Sequence, residues 1–279
     1  MLKNKIGIFD SGFGGLTVMR ALRQRLPKEN LLYFGDTARL PYGNKSPETI
    51  LRYSLENAQF LSQQEIKLLV IACHTSCCTA LSQVRQSLNV PIVGITEGAL
   101  DETSRRFPHG KVAILGTRAT IASRFYQEEL ARQNPSLQLF PIACPLFVPL
   151  VEEGFIDHPL TALAINHYLH PLVQEQIDGA LLCCTHYPLL LPALQQELGK
   201  RVELGKSVQI IDPAIACAEK IAALLAESDL LNTSSTAGMS SFFVSDDPEK
   251  FRHFGARFLG EEIQDVELVR GVEIMSETN

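Results

Sequence analysis

The chain has 279 residues, which is long enough for two domains of roughly 100–150 residues, each with its own core. Hydrophobic residues make up 46% and charged residues 20% of the sequence, proportions that exclude wholesale disorder. The formal net charge of −6 argues against a nucleic-acid partner, because phosphate binding needs a basic surface.

Predicted strands and helices alternate along the whole chain. Short apolar runs predict strands at 6–9, 31–34, 68–72, 91–93, 112–115, 137–142, 180–183, 208–211, 242–244 and 266–269. Longer periodic segments predict helices at 16–26, 47–64, after Cys73, 119–133, from Pro145 onward, 190–198, 213–225 and 248–258. Strands without strict alternation, separated by helices, indicate parallel sheets covered on both faces. The predicted class is therefore α/β, with doubly wound, mostly parallel sheets.

No segment of the sequence is typical of a targeting signal or a membrane span. The first residues include lysines but no apolar stretch, so we expect no secretory signal. Apolar runs such as 67–73 are far shorter than the roughly 18 residues that a span needs. We expect a cytoplasmic protein without a membrane partner. Its seven cysteines, an odd number, are then free thiols rather than a disulfide framework.

Two parts of the sequence are similar to each other. Residues 69–75 match residues 181–186, and residues 8–11 match residues 115–117 more weakly. This similarity indicates two related halves. The expected domains are residues 1–96 with 210–279 and residues 97–209. Open α/β sheets bind ligands beyond the carboxyl ends of their strands. If the two halves face each other, their strand-end residues meet in one cleft.

Two cysteines differ from the other five in their position. Cys73 and Cys184 each end an apolar strand, precede a helix and are followed by a polar pair of Thr and His. The partial positive charge of a helix N-terminus favours the thiolate, which is the reactive form. The competing interpretation is a small buried apolar side chain, which is how most free cysteines are used.

A zinc site and a nucleotide site are both disfavoured. In structural zinc sites, the ligand cysteines are closely spaced in pairs on short loops. The candidate zinc ligands here do not have this arrangement; they are Cys73, Cys77, Cys78, Cys183, Cys184 and His186. The loop 10–17 is partly similar to a dinucleotide fingerprint, but Thr17 replaces the third glycine and Asp10 would repel a pyrophosphate. Its glycines suit a small anion such as a carboxylate, which leaves Asp10 for chemistry or for a substrate amine.

Other polar residues stand in turns or at helix ends. Tyr42 and Gly43 lie in a turn after the second strand, and Thr117 begins a helix, where capping is an ordinary role for threonine. Glu152 and Glu153 end a helical stretch, where acidic groups oppose the helix dipole. At least one of these two carboxylates is therefore expected to have another partner.

Together these segments resemble glutamate racemase, of the cofactor-independent amino-acid racemase superfamily. The matching stretches are residues 9–18 (FDSGFGGLTV), 35–43 (GDTARLPYG), 143–154 (ACPLFVPLVEEG) and 184–190 (CTHYPLL). The resemblance implies two α/β domains with pseudo-twofold symmetry, a substrate cleft between them, and neither cofactor nor metal. It also implies interconversion of L- and D-glutamate, which supplies D-glutamate for bacterial peptidoglycan. A homodimer is left open, with no interface indicated.

The resemblance also assigns roles to single residues. Cys73 and Cys184 become the proton-transfer groups, and the assisting residues are Asp10 for Cys73, with His186 and Glu152 for Cys184. The residues implied to hold the substrate are Asp10, Ser11, Tyr42, Gly43, His74, Thr75, Thr117, Thr185 and His186.

Two residues depart from the usual pattern of that family. His74, which is bulkier and can carry a charge, stands where Asn is usual, and Cys183 stands where Gly is usual. Both departures put efficiency and strict glutamate specificity in question. Three alternatives stay open: a racemase of another amino acid such as aspartate, a one-thiol decarboxylase, which the second thiol disfavours, and a binding protein without racemase activity.

Overall fold

The computed structural model describes residues 5–172, 174–200 and 208–270. The strands are β1 (Lys5–Asp10), β2 (Asn30–Gly35), β3 (Ile66–Ile71), β4 (Ile92–Gly94), β5 (Gly110–Gly116), β6 (Leu137–Ala143), β7 (Gly179–Cys183), β8 (Gln209–Ile211), β9 (Ser240–Val244) and β10 (Glu267–Leu268). The helices are α1 (Leu16–Arg25), α2 (Pro47–Ser62), α3 (His74–Ser87), α4 (Ile95–Arg106), α5 (Arg118–Ala122), α6 (Phe125–Gln133), α7 (Phe147–Glu152), α8 (Pro159–Leu169), α9 (Leu191–Gly199), α10 (Pro213–Glu227) and α11 (Pro248–Leu259).

These strands form two parallel sheets. One sheet has the order β10-β9-β2-β1-β3-β4 and the other the order β6-β5-β7-β8, and every pairing between described strands is parallel. The predicted α/β class with parallel sheets is thus confirmed. The order β2-β1-β3-β4 recurs as β6-β5-β7-β8, so the similarity between the two sequence halves corresponds to a repeat in the fold.

The repeated strand order determines where the residues that follow the central strands lie. In each sheet the strand order reverses between two central strands, β1 and β3 in the first and β5 and β7 in the second. A crevice opens at such a point, because the connections leave the two strands in opposite directions. Ser11 and Cys73 follow β1 and β3, and Thr117 and Cys184 follow β5 and β7. Each half therefore supplies one hydroxyl and one thiol at equivalent positions.

The chain crosses between the sheets through α4 and α10. These helices pack against each other so closely that a Cβ on Gly98 would lie 2.6 Å from the carbonyl carbon of Ala216. All of β8 pairs with β7 in the second sheet. The domain bounds, 1–96 with 210–279 and 97–209, stay a prediction, and residues 1–4, 173, 201–207 and 271–279 within them lie outside the described part of the chain.

The two largest clusters of the apolar core lie on opposite faces of the four-stranded sheet, called the small sheet below. A large cluster spans both sheets and includes Cys184, while a second cluster on the other side contains Ile114, Tyr126, Leu181 and Cys183. Successive residues of a strand point to opposite faces. Adjacent cysteines at the end of β7 therefore have different surroundings.

Two helical regions differ from the sequence prediction. The single helix predicted over 119–133 is two helices, because Arg124 has a φ of 59° in the left-handed region and cannot continue an α-helix. Helix α4 is not predicted from the sequence, since Gly98 in its interior and two threonines, Thr96 and Thr103, weaken the helical pattern. Within the described ranges, no helix is both long and apolar enough to cross a membrane.

Candidate active site

A cavity of about 310 Å³ lies at the carboxyl ends of the central strands of both sheets. This volume is at the lower end of the range for ligand pockets and suits a small metabolite. Cys73 and Cys184 both line the cavity, one from each sheet. Ten residues predicted for the site line it in all: Ser11, Tyr42, Gly43, Cys73, Thr75, Thr117, Glu152, Cys184, Thr185 and His186.

Cys73 lies at the N-cap of α3. Its sulfur accepts a hydrogen bond from the backbone N–H of Ser76 at 3.5 Å, and its thiol donates to Oγ of Ser11 at 3.6 Å. Burial and then the nearby Asp10 carboxylate raise the pKa of Cys73, and the contacts with Ser76 and Ser11 only partly oppose them. The helix N-terminus is therefore outweighed, and Cys73 is protonated at neutral pH.

Cys184 belongs to a chain of three side chains. Its sulfur lies 4.0 Å from Nδ1 of His186, and Nε2 of His186 lies 3.0 Å from Oε1 of Glu152. With its proton on Nε2, the imidazole donates to Glu152 and presents a bare Nδ1 to the thiol. Burial raises the pKa of Cys184 well above its ordinary value, so this thiol is also protonated at neutral pH. Glu153 lines a separate apolar groove instead.

Asp10 lies behind the cavity wall rather than on it. Its side chain is fully buried, Oδ2 accepts from the Gly12 N–H at 3.0 Å, and Oδ1 accepts from the Thr185 hydroxyl at 3.4 Å. Burial raises the pKa of Asp10, while the charge of His186 and these hydrogen bonds oppose the rise. The carboxylate therefore joins the loop after β1 to the loop after β7. Direct contact between Asp10 and a substrate stays a prediction.

The glycine-rich loop after β1 approaches the second half closely. A Cβ on Gly14 would lie 2.2 Å from Oγ1 of Thr185 and 2.6 Å from Nδ1 of His186. Only glycine fits such a contact. The loop that carries Asp10 and Ser11 is thereby held against the loop that carries Cys184.

Thr75 and Thr117 line the cavity from the two halves, and their hydroxyls form a cluster with that of Thr120. Oγ1 of Thr75 lies 3.1 Å from that of Thr117 and 3.2 Å from that of Thr120, and the last two are 2.9 Å apart. All three residues are buried. Each hydroxyl can rotate to donate a hydrogen bond, so the cluster suits a carboxylate group. From the sequence, Thr120 is only a helix-capping residue.

Tyr42 lines the cavity, and its hydroxyl is held by two buried side chains. The hydroxyl donates to Oδ2 of Asp36 and accepts from Nδ2 of Asn57 at 3.0 Å. Arg39 binds Asp36 with Nε at 2.7 Å and also contacts Glu56. This buried network fixes the turn that carries Tyr42 and Gly43.

One residue predicted for the site, His74, does not line the cavity, and one that was not predicted, Arg118, does. His74 does not line the cavity: its Nδ1 lies 2.6 Å from the Tyr126 hydroxyl, and burial lowers its pKa to about 3. The side chain of His74, which can carry a charge, is thus a neutral imidazole here. Arg118, which the sequence analysis missed, lines the cavity without a carboxylate partner among the described residues. Its only sequence signal was its place beside Thr117.

The cysteines of this region are free thiols. All seven cysteines are unpaired with one another. In the part of the chain that the structure describes, no group of three or more His, Cys, Asp or Glu side chains could hold a metal ion.

Comparison with known proteins gives consistent matches over nearly the whole chain. Residues 6–221 match the family described as Asp/Glu/Hydantoin racemase. The chain is 44% identical over 265 residues to a glutamate racemase from Chlorobaculum parvum, covering 95% of each chain. A glutamate racemase from Geobacter metallireducens is 44% identical over 261 residues, covering 94% of each chain.

Solved structures show the same similarity. A glutamate racemase from Francisella tularensis in complex with D-glutamate has a TM-score of 0.89 at 34% identity, covering 96% of this chain and 98% of that one. A glutamate racemase from Bacillus anthracis has a TM-score of 0.91 at 32% identity, covering 98% of this chain and 100% of that one.

Proposed function

Because the chain belongs to the Asp/Glu/hydantoin racemase family, we propose that it is an isomerase that interconverts L- and D-glutamate by two-thiol proton transfer. The observation that carries this proposal is that Cys73 and Cys184, from opposite sheets, line one small cavity. The D-glutamate formed supplies bacterial peptidoglycan.

Inversion at Cα requires a proton to leave one face and another to arrive on the opposite face. One sulfur, as the thiolate, takes the α-proton while the Cα–H bond breaks. The other sulfur, as the thiol, gives its proton to the opposite face. After one turnover the two sulfurs have exchanged protonation states, so the same pair catalyses the reverse reaction. A single base would tend to return the proton to the face from which it came.

The raised pKa values of both thiols have a chemical advantage and a cost. The α-proton of an amino acid is a very weak acid, and a thiolate with a raised pKa is a stronger base toward it. The cost is that little thiolate exists at neutral pH. At Cys184, Nδ1 of His186 takes the thiol proton, and Glu152 stabilises the imidazolium that results. Asp10 has the corresponding role beside Cys73.

The remaining residues bind the substrate and stabilise charge. Hydroxyls of Thr75 and Thr117 donate to the α-carboxylate, where negative charge develops as the proton leaves. Arg118 faces the side-chain carboxylate of glutamate. Buried Asp10 offsets the charge of the substrate ammonium. The proposed site therefore matches two carboxylates and one ammonium in a water-poor cleft.

We also propose the cytoplasm as the location, since seven free thiols suit a reducing compartment. A second copy of the chain is the proposed partner for the exposed apolar groove between α7 and α8, where Leu146, Leu160 and Leu163 are exposed. Sedimentation of the purified protein tests this homodimer.

One incubation tests the proposed reaction. Purified protein, without added cofactor, is incubated with L-glutamate in deuterium oxide. We expect optical rotation to decay to zero while the D-glutamate formed carries deuterium at Cα. Glutamate that binds without racemisation or exchange would favour a binding protein and overturn the proposal. A parallel incubation with L-aspartate distinguishes the alternative substrate.

A further inference from the structure

The residue after one thiol and the residue before the other are connected through a third side chain. His74 follows Cys73 and begins α3, and Cys183 precedes Cys184 and ends β7. Between them lies Tyr126 of α6, whose hydroxyl is 2.6 Å from Nδ1 of His74 and which belongs to the same buried cluster as Cys183. None of the three connected side chains lines the cavity, and all three are buried.

The contact between His74 and Tyr126 is a hydrogen bond between the two halves. Neutral His74 donates its Nδ1 proton to the oxygen of Tyr126, and Cys183 lies in the same buried cluster as the tyrosine. The Cys183 thiol donates to the Leu181 carbonyl at 3.8 Å. Nε2 of His74 is buried without a partner. The opposite tautomer would leave an N–H there without an acceptor, so the proton of His74 is assigned to Nδ1.

We propose that His74, Tyr126 and Cys183 form a positioning unit that holds the two thiol-bearing strand ends at a fixed separation. This inference rests on the proposed two-thiol racemisation. Contacts on the cavity side, such as that of Thr185 with Asp10, already join the two halves. The positioning unit joins them from the opposite face of the small sheet, where Tyr126 packs in the second core cluster.

Such a link between the two halves is useful because the rate of proton transfer depends on the positions of the reacting atoms. A misplacement of about 1 Å at a reacting centre can cost on the order of a hundredfold in rate. The two sulfurs belong to different sheets, so any slip between the sheets changes their separation. A link between residues adjacent to the two thiols limits this slip without contacting the substrate.

Tyr126→Phe is the decisive variant, because it keeps the ring and removes the hydrogen bond to His74. We expect kcat to fall about tenfold in both directions, with KM within about twofold. We also expect the kinetic isotope effect on kcat with α-deuterated glutamate to rise, since proton transfer becomes slower. If Tyr126→Phe only destabilised the fold, the fraction of active enzyme would fall, while KM and the isotope effect would stay unchanged. Tyr168→Phe is the matched control, because that hydroxyl accepts only from the Leu146 N–H outside the unit.

A double-mutant cycle checks the link itself. Tyr126→Phe and His74→Asn should each lower Tm by about 2–4 °C, and the double variant should fall no further than the larger single loss. Additive losses, or a Tyr126→Phe enzyme with unchanged kcat and isotope effect, would overturn the positioning unit. If the unaltered protein does not racemise glutamate, the proposed function fails and the positioning role fails with it, whatever the cycle shows.

Discussion

Replacing Asp10 by Asn should make the protein more stable and less active. The Asp10 side chain is fully buried, and its burial raises the pKa of the carboxyl. Asn has nearly the same shape. Its oxygen keeps the Gly12 N–H, and its NH₂ group donates to the Thr185 hydroxyl, which can turn to accept. The variant therefore loses a buried charge and retains both contacts.

The sign of the stability change depends on pH. Because the folded-state pKa of Asp10 is raised above its unfolded value, protonated Asp10 stabilises the fold, and this stability is lost as pH rises through the folded pKa. Asn avoids that loss, so the free energy of unfolding at pH 7 should rise by about 1 kcal/mol, within the range usual for a single stabilising substitution. Below the unfolded pKa of about 3.9 the gain should vanish, since both side chains are then neutral.

Urea unfolding of both proteins at pH 7 and pH 3.5, with racemase assays at pH 7, measures these effects. We expect kcat to fall at least about a hundredfold, because Cys73 loses its assisting carboxylate. Asp36→Asn is the matched control: Asp36 is equally buried but paired with Arg39, so its neutralisation should destabilise the fold. A less stable Asp10→Asn protein, or a gain that is the same at both pH values, would refute the reasoning.

Three further predictions concern the cavity. Since the thiol proton passes to His186 or Asp10 within the site, forming the thiolate needs no loss of a proton to solvent, so kcat/KM should change by less than about threefold between pH 7 and 8.5, and a rise of tenfold per pH unit would contradict this. Glu152→Gln should lower kcat about 10–100-fold because Gln cannot stabilise an imidazolium, whereas Glu153→Gln should resemble the unaltered enzyme in the same assay. Arg118→Gln should raise KM for glutamate about tenfold with kcat nearly unchanged. Arg124→Gln, which alters a surface ion pair with Glu128, is the control and should leave KM unchanged. An unchanged KM for Arg118→Gln would show that Arg118 does not bind the substrate.

The sequence predicts the strand-end positions well because buried parallel strands are continuous apolar runs. Residues that directly follow such runs, including Cys73, Thr117 and Cys184, are necessarily at the carboxyl edge of a sheet. The repeated strand order then brings two such edges together. Local pattern and topology are sufficient for this level of description.

Side-chain direction and depth depend on tertiary contacts that local patterns do not encode. His74 is adjacent to Cys73, yet the first turn of α3 directs it toward Tyr126 of another helix. The Asp10 side chain lies behind the cavity wall because the Gly12 N–H and the Thr185 hydroxyl bind it there. The left-handed Arg124 breaks a helix that propensity alone would continue. Each of these features is decided by residues far away in sequence or by a single backbone angle.

Racemisation by the separate variants Cys73→Ala and Cys184→Ala tests the central claim most directly. Each is assayed in both directions by chiral analysis, with D-glutamate binding measured in parallel. Two thiols acting from opposite faces predict that either variant still binds D-glutamate but loses racemisation in both directions. A variant of either kind that racemises glutamate at the rate of the unaltered protein would contradict the account.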